Sequence, residues 1–172
     1  MKKTVAILLT CLYLAGCASY TPPTEFDPEQ HARIRVFYGL HIPDTIIYIG
    51  RVCKKPGMPY FVAARNVLSS LVPNKTIGMP ITEDMHTSSY HEYIIPAGNT
   101  ITVHMARESV RRVYFVPEAG ADYETYMRSE RDGELIVNKL IVNADGSITK
   151  QKEKGGNYGL CGSGGWLFRK DW

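Results

Sequence analysis

The sequence predicts an all-β domain, an antiparallel β-sandwich of about seven to nine strands, for most of its length. Three observations carry that expectation. From Ala32 onward apolar and polar residues alternate with period two, the mark of half-buried strands. Clusters of Pro, Gly, Asn and Asp punctuate the alternation at short intervals. Long helical periodicity is nearly absent, and Asn66 to Val72 is the one stretch that would hold a turn or two of helix.

The elements follow in order. Residues 1–16 read as a signal peptide: Lys2 and Lys3 give a positive start, Thr4 to Leu14 is an apolar run, and small Ala15 and Gly16 precede Cys17. The apolar run is too short to cross a bilayer, which takes about 20 residues. Residues 17–31 read as a tether. Pro22, Pro23 and Pro28 lie among Thr, Ser and acidic residues, a composition that favours an extended spacer lifting the domain away from a surface. The sandwich occupies residues 32–172. Arg33-Ile34-Arg35-Val36 alternates, and Thr45 to Gly50 is a β-branched run. Tyr60 to Ala64 and Tyr90 to Ile95 follow, and the latter runs into the turn cluster Pro96-Ala97-Gly98-Asn99. Thr100 to Met105 sets Ile101, Val103 and Met105 on one face. Arg112 to Val116 leads into Pro117-Glu118-Ala119-Gly120. Asp122 to Met127, Glu134 to Val142 and Ser147 to Lys150 complete the set, with Asp145-Gly146 as a hairpin turn. The polar, aperiodic stretch from Pro73 to Ser89 reads as a long loop.

Two resemblances bear on location. Leu14-Ala15-Gly16-Cys17 resembles the lipobox of bacterial lipoproteins residue by residue. The resemblance implies diacylglycerol transfer to the Cys17 sulfur, cleavage before Cys17 and acylation of the new amino group. Several acyl chains on one residue make a lasting anchor, where one alone is marginal. Ala18 follows, not the Asp that in enteric bacteria tends to retain lipoproteins at the inner membrane; the resemblance therefore implies the outer membrane, facing the periplasm. Further on, Ile95-Pro96-Ala97-Gly98 before a Thr/Val strand, and Phe115 to Glu124 after it, look like short, largely uncharacterised periplasmic lipoproteins of proteobacteria. Over residues 32–128 that likeness implies a hairpin held by a Pro-Ala-Gly turn and a core strand pair of a small β-sandwich. It implies no catalytic residue.

Composition narrows the function. With 44% apolar and 22% charged residues the chain is globular rather than disordered. The formal charge of +3 falls when Lys2 and Lys3 depart, and there is no dense basic patch with interleaved aromatics, so no nucleic-acid partner is expected. Of four cysteines, Cys11 leaves with the signal and Cys17 takes lipid. Cys53 and Cys161 remain for an oxidising compartment, and a disulfide between them is expected; free thiols or a metal pair are the alternatives. The bridge would close a loop of about 108 residues and contribute about 4–5 kcal/mol in the chain-entropy model.

Candidate chemistry is sparse. Asp84, His86 and His91 are the metal-ligand candidates, a mixed carboxylate and imidazole set suited to Zn or Cu. Against them, His91 and Glu92 would point to opposite faces of a strand. His104 falls with Thr100 and Thr102 on the solvent face. The glycine-rich run from Gly155 to Trp166 lacks the Gly-Lys-Ser/Thr ending of a phosphate loop, and Ser163 lacks the strand–turn–helix setting of a hydrolase nucleophile. Trp166, Leu167, Phe168 and Trp172 either close the core or form a binding patch. Eleven tyrosines, several on strands, suit half-buried faces and contact surfaces alike. No cofactor is expected. The sequence points to a lipid-anchored, non-enzymatic envelope protein that binds a protein partner or supports an envelope assembly; the alternative is a module for a small ligand, glycan or metal.

Overall fold

The computed structural model describes residues 20–38, 44–50, 59–64, 73–86, 89–106, 110–127 and 134–157. Cys17, Cys53, Cys161, the 66–72 stretch and the C-terminal aromatic residues lie outside them, and with them the lipidation, disulfide and terminal-patch expectations.

The described residues form two five-stranded sheets facing one another, a β-sandwich. The strands are β1 (His31–Tyr38), β2 (Asp44–Ile49), β3 (Tyr60–Ala64), β4 (Ser89–Pro96), β5 (Ile101–Ala106), β6 (Val110–Phe115), β7 (Asp122–Met127), β8 (Leu135–Val142), β9 (Ile148–Lys152) and β10 (Gly156–Asn157). The first sheet has the order β4-β1-β7-β8-β9 and the second β10-β6-β5-β2-β3. The described residues hold ten strands, close to the expected seven to nine. The tenth is two residues long, and its glycine-rich sequence carries no period-two signal.

Alternation decides the core. Ala32, Ile34 and Val36 on β1 meet Ile47 on β2, Phe61 on β3, and Ile101, Val103 and Met105 on β5, all buried between the sheets. Each of the larger side chains contributes about 1.5–3 kcal/mol on leaving water. Among the named strands all pairings are antiparallel except one: β1 lies parallel to β7, with Arg33 opposite Asp122 and Arg35 opposite Glu124. Between these two strands the chain visits the second sheet twice, so no hairpin imposes an antiparallel sense.

The resemblance implied a hairpin at Pro96-Ala97-Gly98. That expectation is corrected: β4 belongs to the first sheet and β5 to the second, so this turn is a corner between sheets. Pro117-Glu118-Ala119-Gly120 is a corner too, from β6 to β7. Tyr123, near the start of β7, accepts a hydrogen bond on its hydroxyl from the Glu118 backbone N–H at 2.9 Å, which fixes the corner against the sheet. By contrast, Asp145-Gly146 does make the β8–β9 hairpin, with Gly146 at φ 82°.

The Pro-rich spacer is also corrected over its described part. Tyr20 donates its backbone N–H to the Tyr60 carbonyl at 3.0 Å, and its ring lies 6.0 Å from that of Phe61. Phe26 lies under the Arg33 guanidinium, 4.6 Å away. Two aromatic residues among the prolines thus dock the segment on the sandwich.

Candidate functional site

Two surfaces differ sharply in chemistry: the outer faces of the two sheets. On the first sheet, strand register sets Glu92, Arg35, Glu124, Asn138 and Lys152 side by side across β4, β1, β7, β8 and β9. Alternation puts these residues away from the core, and yet Arg35, Glu92 and Glu124 are fully buried. The cover is the stretch 73–86, the expected loop, which folds back over this face and contains a 3-10 turn, Glu83–His86.

The cover is held by charge. Arg35 donates to Glu92 Oε1 from Nε at 3.1 Å and from Nη2 at 2.7 Å. Its remaining donors reach the Pro80 carbonyl at 2.7 Å and Thr82 Oγ1 at 3.2 Å. Glu92 Oε2 accepts from the backbone N–H of Ile77 at 2.6 Å and from the Thr76 hydroxyl at 3.0 Å. The Thr82 hydroxyl in turn donates to Glu124 Oε2 at 3.2 Å. The other Glu124 oxygen lies 2.5 Å from Lys150 Nζ, an ion-pair contact without a well-angled hydrogen bond. Burial penalises the Lys150 ammonium, but the carboxylates of Asp84 and Glu124 beside it outweigh that penalty, so its pKa lies above the ordinary value. Beside this row Arg33 forks onto Asp122 at 2.6 and 2.9 Å and donates to the Gly78 carbonyl at 3.0 Å. A buried charge is tolerated when it is paired and hydrogen-bonded, and here the strap supplies the missing partners. Arg35 and the two glutamates flanking it are sealed from solvent. The network is a clasp.

Of the metal-ligand candidates, Asp84 and His91 do not converge. Asp84 pairs with Lys150 on the outer side of the first sheet. His91 points the other way, with Nδ1 3.2 Å from the Tyr93 hydroxyl, which in turn donates to the Ala63 carbonyl of the second sheet. His86 closes the 3-10 turn. Among the described residues no group of three His, Cys, Asp or Glu is placed to hold a metal ion.

The outer face of the second sheet is built differently. Register places Tyr60, Tyr48, Thr102 and Tyr114 in one row, and Val62, Ile46, His104 and Arg112 in the next. Neither row contains a lysine or a carboxylate. Tyr60 and Val62, on β3, are 39% and 38% exposed. The Tyr48 ring stands 5.5 Å from Tyr60 and 5.9 Å from His104. Thr102 and His104 form the buried floor, where Thr102 Oγ1 donates to the Gly50 carbonyl at 2.6 Å. Arg112 Nε donates to His104 Nδ1 at 3.0 Å, which requires that nitrogen unprotonated. Burial, then the Arg112 charge, lowers the His104 pKa below 6.5. His104 thus faces away from the core, as its place in the alternation implied, without being an ordinary surface residue. Tyr123 fills the core, Tyr93 packs against it and Tyr90 lies on the strap side, whereas Tyr48, Tyr60 and Tyr114 belong to this face.

Comparison with protein-family models, with curated proteins and with solved structures found no match to the chain.

Proposed function

We propose that the protein is a lipid-anchored lipoprotein of the bacterial envelope, held through Cys17 at the outer membrane on the periplasmic side, and that its sandwich is a non-enzymatic module that binds a protein partner. The lipobox-like Leu14-Ala15-Gly16-Cys17 supports the anchor. One structural observation carries the binding role: the two adjacent rows on the second sheet, Tyr60-Tyr48-Thr102-Tyr114 and Val62-Ile46-His104-Arg112. Tyr and Arg are enriched at protein interfaces, and Lys, Glu and Asp are depleted there. The first sheet shows the opposite composition on its outer face and closes that face with its own chain.

Site-specific photocrosslinking in cells tests both parts. A photoreactive amino acid at position 48 or 114 should give one discrete protein adduct, and the same group at Thr149 on β9 should not. If all three positions give the same diffuse background, the partner role fails. Cys17→Ala should leave the precursor unprocessed; normal processing and membrane retention of that variant would remove the anchor.

A further inference from the structure

The site where the chain enters the sandwich fixes more than an address. We propose that the β3 edge of the second sheet rests on the lipid surface, with Tyr20, Tyr60 and Val62 in the headgroup layer. This rests on the reading of Cys17 as the lipid-bearing residue. Tyr20 is pinned to β3 by its backbone bond to Tyr60 and by its ring beside Phe61. Only three peptide steps separate it from Cys17. Fully extended, three residues reach about 11 Å, and the headgroup layer is itself roughly 5–8 Å deep. A lipid on Cys17 therefore keeps Tyr20 close to the bilayer.

The sheet order decides which strands follow. Among the described residues β3 is the outermost strand, next come β2 and β5, and then β6 and β10. At about 4.8 Å per strand, β10 lies roughly 19 Å from β3 across the sheet. The anchor thus draws down the β3 edge. That edge offers what a headgroup layer accepts. Tyr60 and Val62 lie on one face of one strand and are both exposed. Tyr suits the interface because its ring is apolar and its hydroxyl stays wet. With β3 down, the second sheet stands upright, and the face of Tyr48, His104, Arg112 and Tyr114 opens sideways just above the bilayer.

The test uses the full lipidated protein in vesicles of phosphatidylethanolamine and phosphatidylglycerol. A photoreactive amino acid is placed at position 60, 62 or 149, and covalent lipid adducts are read by mass spectrometry, with circular dichroism confirming that each variant is folded. Adducts at 60 and 62, with none above background at 149, are expected. Equal adducts at all three, or adducts at 149 alone, overturn the orientation. The same spectra report the N-terminal mass: a mature protein without acyl groups on Cys17 overturns the anchor, whereas an acylated protein with no adduct at 60 or 62 overturns only the β3 edge.

Discussion

The backbone N–H of Gly98 donates to the carbonyl of Pro117 at 2.9 Å, joining two of the corners at which the chain changes sheets. One corner leads from β4 to β5 and the other from β6 to β7, so a single bond ties both crossings at one end of the sandwich. Gly98 stands at φ 71° and Gly120, in the second corner, at φ 74°. A Cβ on Gly98 meets nothing within 4 Å, so its replacement tests backbone strain alone. Gly98→Ala should lower stability by about 1–2 kcal/mol, read from urea unfolding with an unchanged m-value. A neutral result would mean the corner relaxes freely.

Gly155→Ala should behave differently. Its Cβ would fall 2.6 Å from the Tyr114 carbonyl oxygen and 2.8 Å from Val113 Cγ1, so β10 must move off β6. Amide hydrogen exchange should speed up at Gly156 and Asn157 while the first sheet keeps its protection. Faster exchange throughout would show that β10 supports the whole sandwich.

The clasp gives a larger effect. Glu92→Ala leaves Arg35 buried without its main partner and frees the amide of Ile77. A loss of about 3–5 kcal/mol is expected, together with protease cleavage between residues 73 and 86. Replacing Arg35, Glu92 and Glu124 together by apolar residues of similar size should cost much less. It should still expose the strap to protease, because the strap's hydrogen-bond partners are gone. Protection of the strap in that triple variant would show that packing, not charge, holds it.

His104 and Tyr123 tie stability to pH in opposite directions. His104 has a folded pKa below its ordinary 6.5. Above 6.5 it is neutral in both states and its contribution is complete. As pH falls below 6.5 the unfolded chain takes up a proton that the folded one refuses, and stability declines until the folded pKa is passed. His104→Gln should flatten that part of the stability curve. Tyr123 is the reverse: burial, only partly offset by the Glu118 N–H bond, pushes its phenol up to about 12 from 10.0. Its contribution is complete below pH 10 and lost between 10 and about 12. Tyr123→Phe should remove that alkaline decline and should cost about 1 kcal/mol at neutral pH for the missing corner bond.

Strand positions were legible because period two is written into the residues: Asp122 to Met127 matches β7, and Tyr60 to Ala64 matches β3. Sheet membership was not. A Pro–Gly turn looks the same whether the next strand pairs with the last one or crosses to the other sheet, which is why Pro96 to Asn99 passed for a hairpin. The clasp was hidden for a related reason. Alternation shows that Arg35 and Glu92 share a face opposite the core, but not that a distant segment covers that face. The signal for the cover, an aperiodic stretch with Thr76, Gly78 and Thr82, is also that of an ordinary loop. The second-sheet face was half legible: the tyrosines stood out, but only the register of β2, β3, β5 and β6 shows which of them are neighbours.

The parallel pair of β1 and β7 has a kinetic consequence. β1 leaves the ribosome and crosses any export pore before the rest of the sandwich, yet its partners on either side come much later, with Arg35 waiting for Glu92 and then for Glu124. Long-range pairings of this kind form slowly. Until β7 arrives, the first strand carries an unpaired edge and a partly neutralised charge, which opposes premature closure and leaves the nascent chain open to aggregation or to a chaperone.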